Sequence, residues 1–425
     1  MRKILILGAG KSSISLIDYL VTHAITENWT ITVADITAEL ALAKTKNRPH
    51  THAIAVDIKD DGSRKELIAG HDIVISMLPA VLHTTIAYDC IALHKNLVTP
   101  SYISAAMQAM AADVKAGGLI FMNEVGLDPG IDHISAMQLL DRLKQAGHRI
   151  LSFRSHCGGL VAPESDTNSW HYKFSWNPRN VILAGQGEGS IRWRENNSIK
   201  EIAYTELFQH TSVIDIGAKG IYQSYPNRDS LKYIAEYGLE DIETIYRGTL
   251  RVPPFCEAWD FLVRLGLTNA HHPYIFSNRA ACIKSLKIKE QTSIIAMLDE
   301  IGIFEENNWG TTVPAAECLQ QLLEKKWSMQ PTDHDLVVMV HEIEYEEAGE
   351  KKNIQSSLYL KGIDSEHTAM ALTVGLPLAI VTKLILNHQI PQRGVLMPKY
   401  PEIYEPVLRE LATYQIQFIE THNNV

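Results

Sequence analysis

The earliest residues with a spacing suited to chemistry are the glycines of the run Gly8-Ala9-Gly10-Lys11-Ser12-Ser13. They follow a short apolar run at 4–7 and precede a segment of helical pattern. Gly8 permits a tight turn, and Gly10 lets the backbone approach a pyrophosphate. Lys11, Ser12 and Ser13 then open a helix, whose free N–H groups and positive dipole end attract phosphate. Ser13 stands where a third glycine is usual and is small enough to keep helix and strand close. Gly10-Lys11-Ser12 also suits the phosphate loop of a nucleoside triphosphatase, but that motif requires glycine at position 5, where Leu5 stands. Asp35 ends the second apolar run. An acid there hydrogen-bonds both ribose hydroxyls and repels a 2′-phosphate, which favours NAD and leaves NADP possible. Asp57 closes the third run, on the adenine side. Ser76, Leu78 and Pro79 close the fourth, on the nicotinamide side, and Ser101, Val125 and Leu127 follow the fifth and sixth. Ligands of open α/β sheets bind beyond the carboxyl ends of the strands, so all of these are candidate cofactor contacts.

A particular sheet must hold these positions. Apolar runs recur at 4–7, 31–34, 53–56, 73–78, 97–99 and 119–122, without polar alternation, as in strands covered on both faces. Between the first two, Ile17, Leu20, Val21 and Ala24 repeat at helical spacing. Strand–helix alternation of this kind predicts a Rossmann-type, doubly wound parallel sheet. The 425 residues exceed one ordinary core, so more than one domain is expected.

Composition bounds the partners. Hydrophobic residues are 46% and charged residues 21%, ordinary for a soluble globular chain. The formal net charge of -10 argues against a nucleic-acid partner, while local arginines can still receive an anionic small molecule. The 5 cysteines, Cys90, Cys157, Cys256, Cys282 and Cys318, are widely spaced and odd in number. With no CxxC they read as reduced thiols, and a cytoplasmic location is expected. No HxH or HExxH occurs, and His271 and His272, being adjacent, point apart, so no metal is expected. The sequence opens directly into a strand, with no signal-peptide core before it. The apolar stretch 369–382 holds Gly375 and Pro377, is short for a bilayer, and reads as a buried helix. No membrane partner is expected.

Several longer strings are more specific. Residues 123–133 read NEVGLDPGIDH, 157–165 CGGLVAPES, 172–176 YKFSW, 225–230 YPNRDS and 247–251 RGTLR, followed late in the chain by TVGLPLAIVTKLIL and RGVLMP. In these strings the chain resembles the saccharopine dehydrogenases that form glutamate, also called saccharopine reductases. The resemblance runs through most of the chain and is weakest over 254–330. It implies a Rossmann-type domain, a mixed α/β catalytic and dimerisation domain, and a small helical part, in a homodimer. It also implies a reaction of lysine metabolism. Aminoadipate semialdehyde and glutamate condense to an imine that is reduced to saccharopine, or the reverse. Well-known relatives use NADP(H) and carry a basic residue near the end of the second strand. Here that stretch reads Ala34-Asp35-Ile36-Thr37, so the cofactor does not carry across.

The implied substrate is an amino acid with three carboxylates, which requires fixed cations. Arg228 and Arg251, each inside one of the strings, match substrate-contact positions, and a planar guanidinium suits a carboxylate. Thr249 adds a hydroxyl donor. The resemblance places Ser101 and Tyr102 beside substrate and nicotinamide. Asp128, in a proline- and glycine-shaped turn, is the candidate for moving protons during imine formation. Asp132 is the rival acid, but the helical sequence around it points to a cap or first-turn role. His133 reads as packing or capping. Cys157 is taken as a polar catalytic-site contact near the imine, not a nucleophile, because hydride transfer needs none. Trp176 walls the substrate side.

The expected domains are a dinucleotide-binding domain over 1–125, a catalytic domain over 126–253 with 331–385, and a helical insertion over 254–330. The segment 386–425 is expected to return to the first domain. The catalytic sheet should include strands at 150–157, 335–345 and 354–361. The glycines of 185–189 read as a surface loop, because Glu188 and the lack of a following helix do not suit phosphate. Two alternatives remain. One is a dehydrogenase that builds a carboxylated polyamine, and the other is a non-catalytic NAD-binding regulator.

Overall fold

In a computed structural model of the chain, the structure describes all residues except 187–189, 274–279, 281–282, 285–292, 306–312 and 425. Glu188 and its flanking glycines Gly187 and Gly189, and Cys282, therefore lie outside the described residues. Two compact units form, 1–142 with 366–417 and 143–365 with 418–425.

The first unit is built on strands β1 (Arg2–Leu7), β2 (Trp29–Asp35), β3 (Thr51–Ala55), β4 (Ile73–Ser76), β5 (Asn96–Val98) and β6 (Ile120–Met122). Late in the chain, β15 (Gly394–Leu396) joins them, giving the order β15-β6-β5-β4-β1-β2-β3 with every pair parallel. Helices follow the strands, including Ile14–His23 after β1 and Ala80–Ala92 after β4. Ile4, Leu5, Ile6 and Leu7 are all 0% exposed, which is why this run lacks alternation. The chain winds outward from β1 through β2 and β3, then returns to β4 and winds the other way. The switch point lies between β1 and β4, where such sheets bind ligands.

The units divide differently from the sequence-based domains. Residues 126–142 stay with the first unit. The segment after β6 doubles back onto the sheet edge, with Val125 N–H donating to the Thr99 carbonyl at 3.3 Å and Glu124 N–H to that of Ser101 at 3.0 Å. Farther along, the Tyr404 hydroxyl donates to Asp141 at 2.9 Å. The helix Ala369–Leu386, expected in the catalytic domain, also belongs to the first unit. It packs on Ile14–His23 so closely that a Cβ on Gly375 would lie 2.6 Å from the Leu16 nitrogen. Its 18 residues are apolar enough on average to cross a membrane by length and composition, but 89% of them are buried inside the protein. It is a core helix, one turn longer than expected. Conversely, the chain's last residues do not return to the first unit, because β16 (Ile419–Asn424) pairs with a strand of the second.

The second unit holds β7 (Arg149–Val161), β8 (Ile191–Glu195), β9 (Ser198–Ile202), β10 (Ser212–Asp215), β11 (Ile221–Pro226), β12 (Thr244–Arg251), β13 (Asp335–Glu347) and β14 (Glu350–Lys361), besides β16. The sheet runs β10-β11-β12-β7-β13-β14-β16, with β8 on β12 and β9 on β8. It is mixed, since β12 runs parallel to β7 while β13 and β14 form the predicted hairpin. The helical insertion contains Phe255–Arg264, Ser293–Glu300 and Ala315–Trp327. It is not separate, because Trp259, Leu298 and Trp327 share one core with Trp170, Phe174 and Tyr225. The described cysteines, Cys90, Cys157, Cys256 and Cys318, are all buried thiols outside any disulfide.

The close approach at Gly375 makes a direct prediction. Gly375→Leu drives a side chain into the Leu16 backbone, and urea unfolding should show a loss of about 2–3 kcal/mol. An unchanged unfolding midpoint would contradict this packing.

Candidate active site

In the first unit, the turn after β1 shows what the early glycines do. Gly8 has φ +102, and a Cβ there would lie 3.0 Å from the Met77 carbonyl oxygen. A Cβ on Gly10 would meet nothing within 4 Å, so this backbone faces room that a phosphate can enter. Ser13, 0% exposed, donates its hydroxyl to the Gly10 carbonyl at 2.8 Å and takes the third glycine's place at the strand–helix contact. Lys11 is exposed and Ser12 half-buried beside it.

Asp35 closes β2 and accepts from the Ala9 N–H at 2.6 Å and the Ile36 N–H at 2.7 Å. Its carboxylate thus ties the end of β2 to the glycine turn. Asp57 is exposed beyond β3 and accepts from the Lys59 N–H at 2.9 Å. Ser76 is the last residue of β4, with half-buried Leu78 and exposed Pro79 after it. Ser101 follows β5, and Val125 and Leu127, both buried, follow β6. The parallel sheet brings the whole predicted dinucleotide set to one edge.

Asp128, the predicted proton carrier, meets Tyr102 on the same edge. The Tyr102 hydroxyl donates to Asp128 Oδ1 at 3.0 Å, joining the turn after β5 to the turn after β6. Both side chains are half-buried. Asp132 sits in the first turn of the helix Ile131–Gln145 and reaches back to accept from the Gly130 N–H at 2.6 Å, a first-turn position and not the cap. A Cβ on Gly130, at φ +150, would fall 2.0 Å from the Gly126 carbonyl oxygen, so only glycine allows this turn to close.

In the second unit, the strings deliver an arginine in an aromatic cage. Arg251 is 3% exposed. Its guanidinium carbon lies 5.0 Å from the Tyr172 ring centre, 5.7 Å from that of Tyr225 and 5.2 Å from that of Phe255. Nη1 donates to the Leu250 carbonyl at 2.8 Å, and Nε is buried with no acceptor. Among the described residues no carboxylate pairs with it. Burial pushes the Tyr172 and Tyr225 phenols up, so both rings stay neutral beside the cation. Thr249, half-buried, lies opposite Tyr225 on one neighbouring strand and Cys157 on the other. Trp176 joins through its indole N–H, 3.3 Å from the Tyr172 hydroxyl. Arg228 is not in this cage. It stands exposed beyond β11, at φ 56, where its carbonyl accepts from the Arg192 N–H at 3.1 Å. Among the described residues, no group of three or more acids, histidines or cysteines could hold a metal.

Residues 4–122 match the saccharopine dehydrogenase NADP binding domain, and residues 126–416 match the saccharopine dehydrogenase C-terminal domain. The chain belongs to the saccharopine dehydrogenase family. One relative, named saccharopine dehydrogenase [NADP(+), L-glutamate-forming], from Pyricularia oryzae, is 33% identical over 439 residues, covering 96% of each chain. The protein of that name from Saccharomyces cerevisiae is 32% identical over 437 residues, again covering 96% of each. A solved apo saccharopine dehydrogenase (L-Glu forming) from that yeast superposes with a TM-score of 0.88 at 31% identity, covering 100% of both chains. The family match supplies a dinucleotide-binding domain and an oxidoreductase fold. The names specify NADP(+), and they do not carry the preference for NAD that Asp35 suggests.

One residue of this sheet edge escaped the sequence reading. His83, 4% exposed in the first turn of Ala80–Ala92, bridges the ends of two strands. Its Nδ1 lies 2.8 Å from Ser76 Oγ, and its Nε2 lies 2.8 Å from Ser101 Oγ and 3.0 Å from Thr99 Oγ1. Its signal was a histidine in the first helical turn after a predicted ligand-facing strand end. Tyr172 and Tyr225 were visible only as letters of their strings. Burial pushes the His83 imidazole from its ordinary 6.5 down to about 4. Between those values the unfolded chain binds a proton that the folded chain refuses, so stability falls as pH drops through this window and is unaffected above it. His83→Gln, which cannot take the proton, should lose about 2 kcal/mol less than the parent between pH 7 and pH 5. Parallel urea-unfolding curves for the two proteins across that range would refute it.

Proposed function

We propose that the chain interconverts saccharopine with 2-aminoadipate 6-semialdehyde and L-glutamate, acting on a CH–NH bond with a nicotinamide dinucleotide. The observation that carries this reading is Arg251. A guanidinium buried in an aromatic cage without an anionic partner is costly until a carboxylate arrives, and saccharopine brings three. Membership of the saccharopine dehydrogenase family and the names of the relatives support the same substrate over a carboxylated polyamine. They also support an enzyme over a non-catalytic regulator.

Oxidation removes a hydride from the carbon beside the secondary amine and a proton from its nitrogen. Water then adds to the imine and releases aldehyde and amine. The bound dinucleotide supplies the hydride acceptor, or the donor in reverse. Its binding surface is the edge formed by Gly8, Gly10, Lys11, Ser12, Ser13 and Asp35, and its nicotinamide side is that of Ser76 and Ser101. The protein's own chemistry is proton transfer and positioning. Asp128, in hydrogen-bond contact with Tyr102, receives the proton from the amine and returns one to the departing hydroxyl in the condensing direction. Arg251 and Thr249 hold a substrate carboxylate, with Trp176 and Tyr172 as apolar walls. Arg228, exposed and outside the cage, is proposed as a second carboxylate contact on the resemblance of its string alone. Cys157 lines the same sheet face as Thr249 as a polar contact.

We further propose that NAD(H) is preferred over NADP(H). Asp35 is held at the end of β2 by two N–H groups, so it cannot swing away from a 2′-phosphate, and Ile36 and Thr37 beside it carry no positive charge.

The decisive assay follows reduced nucleotide while purified protein turns over saccharopine. Turnover is expected, faster with NAD, and none with either nucleotide would overturn the reading. Fluorescence titration should show NADH binding about tenfold or more tighter than NADPH, and the opposite order would remove the role given to Asp35. Asp128→Ala should lower kcat by about a hundredfold or more with nucleotide affinity kept, whereas Arg251→Lys should raise KM for saccharopine about tenfold with kcat little changed. Normal kinetics in either variant would strike that residue from its role.

A further inference from the structure

Outside the groups already assigned, the first unit contains a buried chain of acid, imidazole and acid directly behind the Tyr102–Asp128 pair. Glu124 is 2% exposed, two residues past β6, and holds a left-handed backbone at φ 57. Its backbone N–H donates to the Ser101 carbonyl at 3.0 Å, and its Oε1 accepts from the Ile103 N–H at 3.0 Å. One residue thus grips the backbone on both sides of Tyr102. Its other oxygen, Oε2, lies 2.8 Å from His133 Nε2. His133 is 0% exposed, and its Nδ1 lies 3.5 Å from Asp132 Oδ2. Asp132 Oδ1 in turn accepts from the Gly130 N–H, two residues after Asp128.

These contacts close a ring. From Tyr102 the path runs through Ile103 to Glu124, His133, Asp132 and Gly130, then back through Asp128 to the Tyr102 hydroxyl. We propose that Glu124, held by His133, is a positioning residue that sets the Tyr102–Asp128 hydrogen bond from behind. The proposal rests on the acid–base role given to that pair above.

The physical case is one of stiffness. Tyr102 and Asp128 lie on separate turns after separate strands, and turns of this kind drift relative to one another unless cross-linked. Glu124 supplies the cross-link at the backbone of one turn, and His133 and Asp132 carry it to the other. A displacement of the pair by about 1 Å is enough to cost about a hundredfold in rate, so a rigid ring of this size has catalytic value beyond stability. A hydrophobic residue at Glu124 could fill the volume but would leave the Ile103 N–H and the His133 ring without their acceptor. His133, read from sequence as packing or capping, therefore belongs to the acid–base apparatus at one remove.

The test is a double-mutant cycle on saccharopine turnover with Glu124→Gln and Tyr102→Phe. Glu124→Gln should lower kcat by about tenfold to a hundredfold, with KM for saccharopine and the NADH dissociation constant within about twofold of the parent. Tyr102→Phe should lower kcat as well, and adding Glu124→Gln to it should cost little more, because the residue acts through the bond already lost. Full multiplication of the two losses, or parental kcat in Glu124→Gln, overturns the proposal and leaves the acid–base reading standing. Parental kcat in Tyr102→Phe overturns that reading and the proposal with it. If Glu124→Gln does not fold, His133→Phe carries the same cycle, since it keeps a ring of similar size and removes the donor to Glu124. If neither variant folds, the ring is purely structural and the proposal fails.

Discussion

All strands of the first sheet point the same way, and the rest of this chemistry depends on that constraint. In a parallel sheet every strand ends on one edge, and every following turn begins there. The turns after β1, β2, β4, β5 and β6 are far apart in sequence, yet the sheet delivers them as neighbours. Gly8 and Gly10, Asp35, Ser76, Ser101 with Tyr102, and Glu124 to Asp128 owe their proximity to this arrangement and not to any local motif. The side-chain bonds then refine what the sheet has brought together. Asp35 fastens β2 to the glycine turn, His83 fastens β4 to β5, and Glu124 fastens β5 to β6. Each tie joins adjacent strand ends, so the edge is stiffened stepwise along its length.

The second unit meets a different demand, the burial of a positive charge. A fully solvated arginine binds a carboxylate weakly, because water competes for both partners. Arg251 is removed from water by Tyr172, Tyr225 and Phe255, whose ring faces compensate the cation without neutralising it. An acidic neighbour would have satisfied the charge and closed the site. Its place is taken by neutral phenols that burial keeps protonated. The parallel pairing of β12 with β7, unusual within this otherwise antiparallel sheet, sets Thr249 opposite Cys157 on the same face. Two polar side chains are thereby placed on the strands that hold the cation.

How much of this was readable beforehand depends on the range of the forces involved. The six leading strands were visible because burial on both faces leaves unbroken apolar runs, and the glycine turn because Gly8 must take positive φ. The hairpin of β13 and β14 was visible for the same local reasons. The domain boundary at 142, and not 125, was invisible, since it follows from the turn after β6 folding back on Thr99 and Ser101. The helix Ala369–Leu386 gave its apolar character but not its partner, because the Gly375 contact with Leu16 spans most of the chain. β16 was missed because pairing with β14 is specified by neither strand alone. In the candidate site, Asp128, Tyr102 and Arg251 were proposed through a resemblance to known proteins. His83 and the roles of Glu124 and His133 were not, because a buried polar residue declares its purpose only through its hydrogen-bond partners.

The backbone at Glu124 shows how local cost and distant benefit are balanced. A non-glycine residue in the left-handed region is disfavoured by about 1 kcal/mol or more, and glycine would remove that cost. Glycine would also remove the carboxylate that holds Ile103 and His133. The left-handed conformation turns the Glu124 N–H toward the Ser101 carbonyl while the side chain reaches the next amide but one, a double grip that extended backbone could not make. The contrast with Gly130 is instructive. There a Cβ is sterically impossible, so the turn accepts glycine and obtains its polar contact from Asp132 instead. Two positions six residues apart thus solve the same closure in opposite ways, strain with a functional side chain at one and freedom without one at the other. Strain kept where glycine was available is the stronger sign that the Glu124 side chain is needed.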